Sequence, residues 1–162
     1  MALPISKVSE LPCYRKDFLG PCGKIIRDRL DEETDSEEEV WYGGENVPRC
    51  SPDGYFHPIQ VDKKDSSTKF CSDRNGKQIK DFRTSSPKAI KEMHCRCALA
   101  WKYLDPKLGI PKCCQNGNYE CWQCQKGFCY CVDQFGRQVG LGVRQIDVHV
   151  LKCQKCCSEL DP

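Results

Sequence analysis

The sequence predicts a small, disulfide-rich α+β protein that consists of two tandem modules, each with a short helix and a few short strands. Fifteen of the 162 residues are cysteine, a share that is typical of disulfide scaffolds. Leu, Ile, Val and Phe make up only about a fifth of the chain, and 30% of the residues are charged. Two domains of this size would be marginal without covalent help. A third observation, an internal repeat, indicates the tandem arrangement.

Two segments of the chain match later segments without a gap. Val47–Val61 aligns with Ile110–Cys124, 63 positions further on, and Lys69–Gly76 aligns with Cys129–Gly136, 60 positions further on. Self-similarity at a nearly fixed spacing marks a repeated structural unit. We therefore expect the same fold twice, with the stretch "HCRC" at His94–Cys97 as the seam. Matching positions include Pro48 and Pro111, Cys50 and Cys113, Gly54 and Gly117, Phe56 and Tyr119, and Gln60 and Gln123.

Secondary structure is expected to be short and irregular. The period-2 alternation of "IDVHVL" predicts a half-buried strand, and "CALAWKYL" at Cys97–Leu104 predicts a helix that ends before Pro106. The predicted strands are Tyr55–Gln60, Lys69–Ser72, Gln78–Phe82, Tyr119–Gln123, Phe128–Val132 and Val143–Val150.

The second copy carries the pattern P-x-C-x3-G-x-[YF]-x3-Q-C followed by C-[WY]-C-V-D-x2-G. This pattern resembles the thyroglobulin type-1 module, and two modules fused through a C-x-C seam are also similar to thyroglobulin type-1 proteins of arachnid venoms. Together the two copies cover roughly residues 13 to 157, with the first more divergent. The matching residues are Pro111, Cys113, Gly117, Tyr119, Gln123, Cys124, Cys129, Tyr130, Cys131, Val132, Asp133 and Gly136.

The resemblance implies domain limits and a disulfide pairing. The expected divisions are an extension at 1–12, a first module at 13–95 with an acidic insertion at 28–46, a second module at 97–157 and a tail at 158–162. In the first module, the third and fourth half-cystines fall on Val61 and Lys69, so both members of one pair are missing together. The implied pairs are Cys13–Cys50 and Cys71–Cys95 in the first module, and Cys97–Cys113, Cys124–Cys129 and Cys131–Cys153 in the second.

Five cysteines lie outside this pattern, and their pairing stays open at the level of sequence. Asn116-Gly117 is a good hairpin signal, so a bond between Cys114 and Cys121 across that turn is one option. A bond from Cys22 to the C-terminal pair, Cys156 and Cys157, would tie the modules together. With an odd number of cysteines, one is expected to stay free or to bond to a partner chain.

Other chemistries fit the sequence less well. Cys121-x2-Cys124 and Cys153-x2-Cys156 have the spacing of zinc ligands, and His94 and His149 could assist. Both pairs overlap the disulfide pattern, however, and the flanking residues do not favour a thioredoxin-like strand and helix. No nucleophile motif accompanies the histidines. We therefore expect no enzyme, no metal and no cofactor.

Charge and targeting signals give further expectations. The insertion carries eight Asp or Glu residues between Asp28 and Glu39, and a solvated loop is its default interpretation. Alternatives are a docking arm for a basic surface, a weak calcium site or a sulfated Tyr42. A net charge of +2 indicates no nucleic-acid partner. Neither a signal peptide nor a membrane span is expected from the sequence. Secretion is inferred from the cysteines.

The resemblance also implies a function. Some members of the family, the thyropins, inhibit papain-like cysteine proteases with loops that form a wedge. The partner would then be such a protease; the alternative is a non-inhibitory extracellular binding module or a venom toxin component with another target. In the first module, the polar stretch Asp62–Lys69 is expected to be flexible and a poorer candidate for cleft insertion. In the second module the wedge maps to Leu108, Gly109, Ile110 and Pro111, to Gln125, Lys126, Gly127 and Phe128, and to Gly140, Leu141 and Gly142.

Overall fold

A computed structural model describes residues 20–33, 47–154 and 156–157 of the chain. Two short 3₁₀ helices lie at Pro106–Leu108 and Gln145–Val150. The other elements are α1 (Pro21–Glu33), β1 (Ile59–Val61), β2 (Lys69–Ser72), β3 (Gln78–Thr84), α2 (Pro87–Glu92), α3 (Arg96–Tyr103), β4 (Trp122–Gln125), β5 (Phe128–Val132) and β6 (Gln138–Arg144).

The strands form two antiparallel sheets of the same topology, β1-β2-β3 and β4-β5-β6. Their registers also correspond. Val61 lies opposite Lys69 in the first sheet, just as Cys124 lies opposite Cys129 in the second. The outer strand of each sheet carries a bulge against the central strand. The sequence repeat is therefore a structural repeat, and small disulfide-rich tandem modules are the observed fold class.

A buried glutamine fixes the same loop in both copies. Gln60 accepts a hydrogen bond from the N–H of Arg49 at 3.0 Å and donates one to the carbonyl of Arg49 at 2.8 Å. Gln123 makes the corresponding pair of bonds with Lys112, both at 2.8 Å. Both glutamines are less than 10% exposed, so their amides satisfy backbone groups that would otherwise be buried without partners. Gln123 is thus a structural residue of the repeat.

The helices α1 and α3 occupy matching places. Cys22 of α1 bonds to Cys50, as Cys97 of α3 bonds to Cys113. The N–H of Gly23 donates to the carbonyl of Gly54 at 2.9 Å, and Ala98 makes the same contact with Gly117 at 3.1 Å. The expected pair Cys13–Cys50 is therefore wrong, since the helix start at Cys22 supplies the first half-cystine. Cys13 lies outside the described residues, and a bond from Cys22 to the C-terminal cysteines is wrong as well.

The C-terminal cysteines close back onto the second module. Cys114 bonds to Cys157 and Cys121 bonds to Cys156. A bond between Cys114 and Cys121 is wrong because each of the two sulfurs is already bonded to a C-terminal cysteine. The remaining bonds are Cys71–Cys95, Cys97–Cys113, Cys124–Cys129 and Cys131–Cys153, the pairs that the resemblance implies.

The two modules share one core at the seam. Phe82 of β3 packs edge-on against Trp101 of α3, with ring centroids 6.3 Å apart. Gly117 lies so close to this core that a Cβ atom added to it would overlap Cys71 Sγ. The core consists of Cys71, Ile79, Phe82, Met93, Cys95 and Ala98, with Ile59, Leu99, Trp101 and Cys113 packed against it.

Two asparagine side chains reinforce the seam. The amide of Asn116 donates to the carbonyl of Ala89 at 3.1 Å, and that of Asn118 donates to the carbonyl of Glu92 at 2.8 Å. The N–H of His94 in turn donates to the Asn118 side chain at 2.9 Å. Both asparagines are 7% exposed. The turn of the second module thereby satisfies carbonyl groups of α2 in the first.

Several element predictions need correction. The predicted strand Val143–Val150 is wrong beyond Arg144, because the next six residues form a 3₁₀ helix in which Ile146 is 78% exposed; the alternation in "IDVHVL" does not mark a buried face. The helix α1 was not predicted. It includes residues 28–33 of the acidic insertion, and residues 34–46, with Tyr42, lie outside the described part. The predicted strands Tyr55–Gln60 and Tyr119–Gln123 begin later, at Ile59 and Trp122.

Candidate functional site

The three loops predicted to form an edge all belong to the sheet β4-β5-β6 or adjoin it. The first, Leu108–Pro111, follows the 3₁₀ turn. The second, Gln125–Phe128, is the turn between β4 and β5, and the third, Gly140–Gly142, is the bulge of β6. Direct contact joins the first two loops, because Gln125 Nε2 donates to the carbonyl of Leu108 at 2.7 Å. The third loop instead contacts β5.

The second loop is a tight hairpin turn. Lys126 and Gly127 both have positive φ, at 50° and 81°, which is the conformation of a type I′ turn. Cys124 and Cys129 face each other across the strands, with Cα atoms 4.0 Å apart, and their disulfide closes the ring. A ring this small leaves the loop few conformations even when it is free of a partner.

The first loop is fixed at both ends. Asp105 Oδ1 accepts a hydrogen bond from the N–H of Lys107 at 2.9 Å and so caps the 3₁₀ turn Pro106–Leu108. At its other end, Lys112 is held through the Gln123 side chain. Between these points, the loop is held to the hairpin by Gln125. Sequence reasoning missed this link, since nothing in the motif marks Gln125.

The third loop lies beside the hairpin. Gly142 immediately precedes Val143, the cross-strand partner of Cys129, and an added Cβ at Gly142 would lie 3.2 Å from the carbonyl oxygen of Cys129. Gly140 opens the bulge, and its carbonyl accepts a hydrogen bond from Gln138 Nε2 at 3.0 Å. The loop is therefore anchored to β5 by strand pairing, without direct contact to the first loop in the hydrogen bonds described.

Large apolar side chains project from all three loops. Leu108, Ile110 and Phe128 are 51%, 64% and 55% exposed, and Leu141 is 91% exposed. Exposed apolar patches mark interaction surfaces, whereas single exposed apolar side chains are common on any protein. Val139 and Ile146 flank the third loop and are 55% and 78% exposed; the sequence analysis did not single them out. We call Leu108, Ile110, Phe128 and Leu141 the apolar edge.

A cavity of about 210 Å³ lies behind the first loop. Tyr119 and Tyr130 contribute to its wall, together with Leu104 and the residues of the first two loops. Burial raises the pKa of Tyr119 because its ionised form would lose water. Tyr119 therefore stays a neutral phenol under ordinary conditions, and the cavity wall carries no charge from it.

The corresponding hairpin of the first module is longer and polar. The N–H of Asp62 donates to the carbonyl of Thr68 at 2.9 Å, and Asp65 accepts hydrogen bonds from Ser67 and Thr68. Arg83 pairs with Asp62 at 2.6 Å. These hydrogen bonds hold the pKa of Asp65 below its usual range, the Ser67 hydroxyl being the largest cause. The first turn carries charges of both signs, where the second carries Lys126 and the exposed Phe128.

The cysteines with zinc-like spacing are all engaged in disulfides. Cys121 and Cys156 bond to each other, while Cys124 and Cys153 bond to Cys129 and Cys131. A disulfide sulfur offers no thiolate to a metal. Within the described part of the chain, one group of potential ligands lies close together, Cys114, Glu120 and Cys157, but its two sulfurs are bonded to each other. This cluster offers only a carboxylate.

His94, at the seam between the modules, is engaged in packing and in a backbone hydrogen bond. His94 Nδ1 accepts a hydrogen bond from the N–H of Arg96 at 3.2 Å, and its ring lies 5.3 Å from that of Phe135. Its buried Nε2 makes no hydrogen bond of good geometry, although the backbone of Gln134 lies close enough to favour the protonated ring. Burial and, to a lesser extent, the Arg96 charge lower the pKa of His94. His94 is thus a packed residue of the seam.

No helix among the described residues is long and apolar enough to cross a membrane. The disulfide-rich modules instead suggest an extracellular or secreted protein.

The chain is similar in sequence to thyroglobulins and to equistatin. Mouse thyroglobulin (Mus musculus) is 31% identical over 121 residues and rat thyroglobulin (Rattus norvegicus) is 32% identical over 121 residues, in each case 70% of this chain. Equistatin of Actinia equina is 27% identical over 100 residues, or 57% of the chain. The matched region spans only 4% of either thyroglobulin and 42% of equistatin.

The family comparison covers most of the chain. The Thyroglobulin type-1 repeat matches twice, at residues 25–95 and 100–153. These two regions contain the two sheets and all of the shared core except Ala98 and Leu99, which lie between them. The chain therefore belongs to the thyroglobulin type-1 repeat family and contains two tandem copies of the repeat.

Proposed function

We propose that this protein is a secreted inhibitor of papain-like cysteine proteases, and that the apolar edge of the second module enters the active-site cleft. The observation that carries the proposal is the combination of exposed apolar side chains with a fixed backbone. Phe128 and Leu141 are 55% and 91% exposed, yet the loops that hold them are closed by a disulfide and by strand pairing.

The family supports an inhibitory or binding role. Thyroglobulin type-1 repeats are typically non-enzymatic binding or inhibitor modules. Equistatin, a relative of this chain, is a cysteine protease inhibitor. The thyropin resemblance assigns the contact to three loops, which here are Leu108–Pro111, Gln125–Phe128 and Gly140–Gly142.

Rigidity explains how so small an edge could bind tightly. Ordering a flexible side chain or loop on binding costs about 0.5–1.5 kcal/mol for each immobilised side chain. The disulfide Cys124–Cys129 and the bond from Gln125 to Leu108 order the first two loops before any partner arrives. Most of that cost is therefore met during folding, and burial of the apolar edge can contribute to affinity.

The first module is proposed to support the second without entering a cleft itself. Its hairpin presents Asp62, Lys63, Lys64 and Asp65 where the second module presents Gln125–Phe128. Desolvating such charges in a cleft would be costly. Its contribution is structural, since α2 and β3 form one side of the shared core.

The test is a titration of the fully oxidised protein against a papain-like protease of the cathepsin L type at mildly acidic pH. We expect stoichiometric inhibition that is lost when Lys126-Gly127-Phe128 is replaced by Ser-Gly-Ser. The matched control replaces Lys64-Asp65-Ser66 in the first hairpin and should inhibit like the original protein. No inhibition of cysteine, aspartic or metalloproteases by a correctly oxidised sample would overturn the proposal and favour a non-inhibitory binding module.

A further inference from the structure

The charge of the proposed contact edge has one sign. The three loops together contain a single ionisable side chain, that of Lys126, and no carboxylate. Lys107 directly precedes the first loop. The nearest acidic residue in the chain on that side is Asp105, and its carboxylate caps the 3₁₀ turn through the N–H of Lys107. The edge therefore combines four apolar side chains with two ammonium groups.

These two ammonium groups are available to a partner. Lys107 and Lys126 are both exposed, and among the residues that the structure describes no carboxylate lies within 4.0 Å of either side-chain nitrogen. Other cations nearby are already engaged. Arg144 pairs with Asp147 at 3.1 Å, and Lys112 Nζ lies 3.3 Å from the centroid of the Trp122 ring.

Lys126 is presented by a fixed backbone. It occupies the first central position of the hairpin turn, with φ at 50°, inside the ring closed by Cys124 and Cys129. A charge on a pre-organised turn loses less entropy when it pairs than the same charge on a flexible loop. The turn thus fixes the backbone position from which the Lys126 side chain extends, two residues before Phe128.

The first module does not share this charge pattern. Its matching hairpin places Asp62 and Asp65 beside Lys63 and Lys64, and Asp62 is already paired with Arg83 at 2.6 Å. The outer strand β3 adds Asp81 at the place of Leu141. The one-signed edge is therefore a property of the second module and not of the repeat.

We infer, on the basis of the proposed function, that the edge selects cysteine proteases whose cleft has an apolar floor and carboxylates at its rim. Lys107 and Lys126 are the specificity-determining residues, and the apolar edge provides contact that does not depend on charge. Complementary charges at the rim of an interface mainly raise the association rate and discriminate against partners of the wrong sign.

The experiment measures association rates of the double variant Lys107→Glu/Lys126→Glu against a papain-like protease with acidic residues around its cleft. The matched control is Lys63→Glu/Lys77→Glu, which makes the same change in net charge on exposed residues of the first module. We expect the edge variant to associate on the order of tenfold or more slowly at about 0.1 M salt. The control should associate like the original protein.

Salt distinguishes steering from a structural effect. The Debye length falls from about 10 Å at 0.1 M to about 3 Å at 1 M salt, so the difference between the original protein and the edge variant should shrink strongly. Against a second protease with a basic rim, the edge variant should associate faster than the original protein. Equal rates for original, edge variant and control, in a protein that does inhibit, would overturn this inference alone. Absence of inhibition by the original protein would overturn the proposed function together with it.

Discussion

The hairpins β1–β2 and β4–β5 differ in one covalent bond and in what their turns present to solvent. Both pair in the same register, with Val61 opposite Lys69 and Cys124 opposite Cys129. The first turn is polar and is closed by hydrogen bonds that Asp65 accepts, while the second is closed by a disulfide and bears Phe128 at 55% exposure. The same strand register is therefore compatible with a turn closed by hydrogen bonds and with one closed by a disulfide.

This comparison separates the features that both copies of the repeat share from those that occur only in the second copy. Both copies keep the buried glutamine, the helix-to-loop disulfide and the strand order. These features hold each sheet to its helix. The cross-strand disulfide and the apolar edge occur in the second copy only, so the fold does not require them.

The largest effect is expected where the two modules meet. In Gly117→Ala the new methyl group would overlap Cys71 Sγ and lie 3.1 Å from the Ala98 Cβ, at a φ of 78°. Overpacking and left-handed strain together should cost about 3 kcal/mol or more of folding free energy. Thermal unfolding of oxidised protein measures this cost.

The matched control is Gly127→Ala, whose φ is 81° but whose Cβ would meet nothing within 4 Å. Its cost should be limited to the backbone strain, about 1–2 kcal/mol. Equal losses in the two variants would contradict the shared core.

A second change converts the first hairpin into the second. Val61 and Lys69 are directly opposite, so the variant Val61→Cys/Lys69→Cys should form the missing disulfide. The chain-entropy gain is about 2–3 kcal/mol at most. Mass spectrometry of the unreduced protein measures bond formation as the loss of two hydrogen atoms, and denaturant unfolding measures the gain. Two free thiols after oxidative refolding would show that the registers do not correspond.

A smaller effect is expected from the link between the first two loops. Gln125→Ala removes the donor to the Leu108 carbonyl, an exposed hydrogen bond worth about 1 kcal/mol or less in stability. Loss of pre-organisation should nevertheless raise the dissociation rate of the proposed complex several-fold. Surface plasmon resonance would measure it, with Gln78→Ala as the control, because the Gln78 amide makes a similar exposed bond to the Lys80 carbonyl in the first module. Faster association with unchanged dissociation would speak against a positioning role.

The smallest effect concerns pH. The folded-state pKa of His94 lies below its usual value because burial disfavours the imidazolium. The unfolded chain therefore binds the proton first, and stability should fall as the pH drops through about 6.5, the unfolded value, to the lower folded value. Since the residue is only half-buried, the loss should stay within about 1 kcal/mol. The difference in melting temperature between original and His94→Gln proteins, followed from pH 7 to pH 5, measures it.

Much of the architecture could be predicted from the sequence because the repeat constrains it. Both copies repeat the same local sequence pattern. That pattern includes the buried glutamines Gln60 and Gln123 and the strands Lys69–Ser72 and Phe128–Val132. The first half-cystine was misassigned because choosing between Cys13 and Cys22 requires the position of α1. The helix α1 was not predicted because its C-terminal end lies in the acidic segment. The helix α2 was not predicted because it is short, although Ser86-Pro87 is a recognised helix start signal.

The site was harder to predict than the fold. Glycines and apolar residues at loop positions suggested an edge, but exposure and the bond from Gln125 to Leu108 depend on tertiary packing. The pairing of Cys114 and Cys121 with the C-terminal cysteines links residues more than 30 positions apart, beyond any local signal. The module limits 13–95 and 97–157 stay predictions.

The most direct test of cleft insertion is calorimetric binding to two forms of the same cysteine protease. In one form only the catalytic thiol is blocked by methylation; in the other a covalent peptidyl inhibitor fills the cleft. If the apolar edge enters the cleft, the oxidised protein binds the methylated protease at one-to-one stoichiometry and does not bind the filled one. Equal binding to both forms would place the contact outside the cleft and contradict the account.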